Sequence, residues 1–205
     1  MKTLYILFFV FAESISAQNF ILAGKYSETL NDNWIRSYLV EGLISNNKNE
    51  FNVGLFLGLA KLSLTEFDEP SNEYERVIFG VVSHYNPFGN FNNEYINPIF
   101  VGLRVAKISE YSIRDWGIGG SLWDDYPGIY DRRTKQDYLL NISLGYKFNF
   151  EKINFLLELG WHHREYNLSY QKNYYDENMY LIREHIKIPK IENTVFIETG
   201  LQFVF

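Results

Sequence analysis

The sequence predicts an all-β fold, a transmembrane antiparallel up-and-down β-barrel of eight strands, with ten as the alternative count. Three observations predict it. First, the C-terminal run alternates. Val195, Ile197, Leu201, Phe203 and Phe205 share one side, broken by Thr199, while Glu198, Gly200 and Gln202 take the other. Such a strand separates an apolar from a polar surrounding, and closing a barrel pairs a terminal strand without leaving an edge. Second, six further segments beyond residue 50 divide in the same way. Third, the chain carries 4 Trp, 16 Tyr and 17 Phe, and membrane barrels collect such rings in girdles at both interfaces.

The N-terminus reads as a secretory signal over residues 1–17. Lys2 precedes the apolar run Leu4–Ala12, and Ser16-Ala17 supplies the small residues before a cut ahead of Gln18. The apolar run is too short for a spanning helix, which needs about 20 residues. Residues 18–205 then form one barrel domain, with no repeat and no second domain.

The first strand is placed at Phe20–Glu28, where Phe20, Leu22, Gly24 and Tyr26 share a face. Residues 29–50 are expected to form an outer loop. The stretch Trp34–Ile44 within it has Arg36 on one face and Glu41 on the other, so neither face suits lipid. If it is a strand, a partner is expected around Met179–Ile188 and the count becomes ten.

The remaining strands are expected at Phe51–Leu64, Tyr74–Tyr85, Pro98–Ile108, Asp115–Trp123, Tyr138–Phe150, Ile153–His162 and Thr194–Phe205. One face of each is uncharged, for example Leu55, Leu57 and Leu59, or Val101, Leu103 and Val105, or Ile142, Leu144 and Tyr146. A lysine or arginine there would cost about 2–4 kcal/mol at the membrane midplane. The opposite faces mix small and polar residues, as in Asn141, Ser143, Gly145, Lys147 and Asn149, which suits a narrow barrel interior. A soluble barrel would show the inverse division.

Two tight turns test the register. A turn at Glu151-Lys152 sets Phe150 against Ile153, Leu144 against Leu159 and Gly145 against Glu158. A turn at Glu110-Tyr111 sets Val105 against Trp116 and Arg104 against Gly117. Both keep apolar positions opposite apolar ones, whereas a one-residue slip would invert a strand. Short turns lie on the periplasmic side, so 29–50, 86–97, 124–137 and 163–193 are expected to be the external loops and contact surfaces.

The net charge is −6, and the expected signal removes one Lys and one Glu, leaving it unchanged. A nucleic-acid partner wants a basic footprint and is not expected. The chain has no cysteine, which excludes disulfides, thiolate metal sites and a lipoprotein anchor. No cofactor or metal site is expected. His162 and His163 point to opposite faces of a strand and cannot chelate one metal.

With its N-terminal signal, alternating strands and Phe205 ending, the chain resembles the small outer-membrane barrels of Gram-negative bacteria, of the OmpA and OmpX type, and similar small barrels of the Bacteroidota. The resemblance covers nearly all of 18–205 and implies location in the outer membrane among its lipids. It also implies delivery by the barrel assembly machinery, whose terminal-strand signal is matched by Gly200, Leu201, Phe203 and Phe205. A monomer is expected. The resemblance fixes no single function.

Inside the barrel, Glu158 lies diagonal to Lys147, with Glu198 on the next strand and Arg76 and Arg104 opposite. Buried charges require partners, so Arg76, Arg104, Lys147, Glu158 and Glu198 are expected to form a lumen charge network. Outer-membrane lipid A deacylases carry His-x-Ser at the outer rim, but His84 is followed by Tyr85-Asn86 and neither His162 nor His163 has such a Ser. Ser83-His84 and Asp124-Asp125 are the residual candidates for an enzyme, and no catalytic activity is expected. The sequence therefore favours a structural or surface-interaction barrel, over a small pore with a hydrated lumen or a lipid-modifying hydrolase.

Overall fold

A computed structural model describes residues 19–30, 35–45, 50–63, 73–88, 95–109, 111–113, 128–150 and 152–205. The expected signal and the Asp115–Trp123 and Asp124-Asp125 segments lie outside the described residues. The strands are β1 Asn19–Thr29, β2 Ile35–Ser45, β3 Phe51–Ser63, β4 Glu73–Tyr85, β5 Ile99–Ile108, β6 Tyr111–Ile113, β7 Gly128–Phe150, β8 Ile153–Tyr175 and β9 Leu181–Val204. Every pairing is antiparallel.

Eight of these strands close a ring in the order β1-β2-β3-β4-β5-β7-β8-β9, with β9 returning to β1 and β5 joining β7. β6 lies outside the ring as a short addition to β7. The predicted fold class and the count of eight hold, but the membership of the ring differs from the expected one in two places. Residues 29–50 are not one external loop: 35–45 form β2, which pairs along its whole length with β1 and β3. The Glu110-Tyr111 hairpin is also absent, because Val105 pairs with Val81 on one side and Leu140 on the other.

The physical reason for the first difference is visible in β2 itself. Arg36 sits at one end of the outward face, half exposed, and its Nε donates to Glu28 at 2.9 Å. Glu41 turns inward and meets cations in the lumen. Each charge thus has a partner on its own side, and the outward Tyr38, Val40 and Ile44 are left to face lipid.

Gaining β2 reverses the direction expected for β3, β4 and β5. The start of β1, the end of β9 and the strand ends on either side of 46–49, 86–98 and 151–152 now share one end of the barrel. β4 therefore ends and β5 begins at the end where β1 starts, and not at the opposite end as an external loop over 86–97 requires. The other two expected loops are also largely strand: 128–137 belong to β7, and 163–193 to β8 and β9, which leaves 176–180 as their connection. The ten-stranded count fails because the Met179–Ile188 region continues β9 and adds no new strand to the ring.

The face assignments follow the expected parity. Leu55, Leu57, Phe79, Val105, Leu144, Leu159 and Leu201 are among the large apolar residues left exposed outward, while their neighbours in sequence are buried or are half-buried glycines. An exposed apolar surface of this continuity is what hydrocarbon stabilises. Inside, Ile35, Leu39, Ala60, Ile78, Ile108 and Leu139 pack as an apolar plug.

Strands β7, β8 and β9 have 23, 23 and 24 residues, about twice the 9–11 needed to span a bilayer. The ring ends where Thr29 pairs with Phe196 and Ile108 with Asp137. Beyond it the β8–β9 ladder runs unbroken to Tyr175 opposite Leu181, an overhang of roughly 40 Å along the strand. A bulge at the ring's edge serves this extension. Gln136 adopts φ 53°, and the register shifts there, so that Lys135 faces outward with Asn167 while Asp137 faces in.

Candidate functional site: two polar layers in the lumen

One connected network at the level of Lys25 draws a side chain from every strand of the ring. Lys25 on β1 donates to Glu158 of β8 at 2.6 Å and forms ion pairs with Glu41 of β2 at 3.0 Å and Glu198 of β9 at 3.1 Å. Arg104 on β5 donates to Glu41 at 2.6 Å and to both oxygens of Glu198 at 2.8 and 2.9 Å. Its guanidinium lies 5.2 Å from the Phe56 ring of β3. Ser143 of β7 donates to Glu158 at 2.6 Å, and His84 of β4 lies 3.3 Å from Lys25 Nζ. All the charged members are buried.

Alternation brings these residues to one side of their strands, and small neighbours make the space. A Cβ at Gly102 would overlap the Ser143 hydroxyl that reaches Glu158. Phe100 lies over Gly145 on the paired strand, filling the place a side chain would take, an aromatic-on-glycine device that pins register. The space beside His84, Arg104, Ser143 and Glu158 is a cavity of about 10 Å³, room for one water.

A second polar layer closes the end from which the overhang rises. Arg164 grips Asp137 with Nε and Nη2 at 2.8 and 2.6 Å, and Arg76 donates to the same carboxylate at 3.0 Å. Arg164 also reaches Glu192 at 3.1 Å and stacks 4.2 Å from the Tyr166 ring, whose hydroxyl donates to Glu192 at 2.7 Å.

Of the five residues expected to share a lumen network, the structure brings together Arg104, Glu158 and Glu198. Arg76 belongs to the second layer. Lys147 is half-buried on the inner face and makes no ion pair with Glu158 among the described residues. Lys25 and Glu41 complete the first layer and were not among the expected members. Ser83 and His84 face opposite sides of β4, half-exposed outward and buried inward respectively. They stand near the end that carries the termini, so the expected rim position is corrected along with the direction of β4. Gly200, Leu201, Phe203 and Phe205 lie at the terminal end of the chain, with Leu201, Phe203 and Phe205 outward.

Outward on β8, the apolar belt ends at Trp161, and His163 above it lies between Asn193 at 2.8 Å and Glu165 at 3.0 Å.

No family model matches the sequence, and no curated relative does. Solved structures match in fold. The outer membrane protein OprG from Pseudomonas aeruginosa superposes with a TM-score of 0.56 at 11% identity, covering 92% of this chain and 96% of that one. The beta domain of the Bordetella autotransporter BrkA gives 0.36 at 9% identity, covering 91% and 98%. The outer membrane protease OmpT from Escherichia coli gives 0.27 at 19% identity, covering 90% and 65%. The fold is that of an outer-membrane β-barrel.

Proposed function

We propose that this chain is an integral, monomeric outer-membrane barrel with a closed lumen, serving a structural or surface-interaction role through its overhanging sheet. The observation that carries the reading is the pair of polar layers with an apolar plug around them. Eight strands contribute to the first layer, every carboxylate in it meets a cation, and the cavity beside Glu158 measures only about 10 Å³. A conducting pore wants a continuous hydrated path, and this filling favours a closed lumen over one.

The tightest connection, between β7 and β8, lies at the end where β9 finishes, and the long β7–β9 extension lies at the other, which supports placing the first end in the periplasm and the overhang outside. The outward belt then contacts outer-membrane lipids. Gly200, Leu201, Phe203 and Phe205 are the residues proposed to guide assembly into the membrane. Removal of residues 1–17 as a signal belongs to the same proposal. A hydrolase is not favoured: Ser83 cannot reach His84 across the sheet, and the Ser143 hydroxyl is committed to Glu158.

Planar-bilayer recording of the refolded protein tests the closed lumen. Background conductance is expected. Stable unitary steps would overturn the reading in favour of a small pore.

A further inference from the structure

The two faces of the β8–β9 overhang differ in how their charges are matched. On the inner face both signs occur: Arg164 stands against Glu192 and Lys172 against Glu184, with Lys190 opposite Tyr166. On the outer face, above His163, the paired residues are Glu165 with Ile191, Asn167 with Pro189, Ser169 with Lys187, Gln171 with His185 and Asn173 with Arg183. Glu165, at the base, is held by His163. Above it the described charged side chains on the paired strands of this face are cations. Lys187, His185 and Arg183 are exposed, and so is Lys135, which the register sets beside Asn167.

This face continues, in unbroken register, the outward face that carries Trp161, Leu159, Val195 and Ile197 below. With tails around the lower part, the headgroup layer meets this face as it rises above the belt, reaching Lys135 and Lys187 before His185 and Arg183. A chain of net charge −6 that concentrates cations on this face has placed them where anionic groups would lie.

We propose that the outer face of the overhang, through Lys135, Arg183 and Lys187 with His185 among them, binds the phosphate-bearing headgroups of the surrounding lipid leaflet. The inference rests on the membrane reading above. Pairing of an extended polypeptide along the open edge of β9 is disfavoured by the same strand. Val195 and Phe205 turn their backbone groups toward β1 and Val204 toward β8, so odd positions face the open edge. Pro189 stands at one of them without a donor.

The test uses the full chain folded in detergent with hexa-acyl bisphosphoryl lipid A as probe, followed by native mass spectrometry. Wild type is expected to retain the lipid, less so as salt rises and less so for the dephosphorylated form. K135Q/R183Q/H185Q/K187Q is expected to retain it roughly a hundredfold more weakly, on a scale of about fivefold per surface cation. Heat-modifiable gel migration checks that the variant is folded. Equal retention by folded wild type and variant, or equal retention of both lipid forms, would overturn this inference and leave the barrel reading intact. Capture of a soluble polyanion such as heparin with no capture of lipid A would also overturn it. A chain that inserts into no bilayer would sink both.

Discussion

Replacing Lys25 by methionine removes the cation that lies between three carboxylates. Arg104 still reaches Glu41 and Glu198, but Glu158 keeps only the Ser143 hydroxyl among its described close partners. Breaking a buried pair by deleting one partner typically costs about 3–5 kcal/mol, because the other charge stays buried and unmatched. Total stabilities of about 5–15 kcal/mol are usual, so the folded fraction should fall at much lower denaturant. The second variant, K25M/E158Q, removes the stranded charge as well. It should recover at least about 1 kcal/mol relative to the sum of the two single losses, the coupling expected of residues in contact. The assay is urea unfolding in lipid vesicles, followed by the heat-modifiable shift on gels. Midpoints for K25M and wild type that coincide, or strictly additive losses in the double variant, would refute the account of the lumen as a charge-matched layer.

Two further outcomes follow from the walls and the filling. Arginine at Val101, Leu144 or Leu157, all exposed outward, should cost about 2–4 kcal/mol each near the midplane; unimpaired insertion of all three would show that these side chains do not meet acyl tails. Leucine at Gly145 should displace the Phe100 ring from its contact with His84, whose centroid is 5.0 Å away, and destabilise by about 1–3 kcal/mol; adding Phe100→Ala should return part of that loss, read from the same unfolding midpoints.

Much of the barrel was legible because parity is a strong constraint: a residue between oil and lumen has only two choices. The register through 151–152 was fixed by it, with Gly145 opposite Glu158 as expected. β2 was not legible. A charge on each face argues against a spanning strand when the faces are judged whole, and only the third dimension shows Arg36 at the rim and Glu41 among cations. Directions of β3 to β5 went with it, since each strand's sense depends on the tally before it. The lengths of β7 to β9 were hidden for a related reason: above the ring neither face is bathed in hydrocarbon, so the apolar alternation that marks a spanning strand fades. In the lumen, Arg104, Glu158 and Glu198 could be found as isolated charges on otherwise small-residue faces. Lys25 carries the same signal on β1, whose pattern is weaker, and Glu41 was concealed within a presumed loop.

Lys25 stands on the first strand of the ring and Glu198 on the last, and they lie 3.1 Å apart. In an incomplete cylinder with its seam between these two strands, Lys25 would keep Glu41 on the adjoining β2 but stand apart from Glu158 and Glu198. Completion of the polar layer is therefore tied to closure, since two of the three acids around Lys25 reach it only when the first and last strands meet.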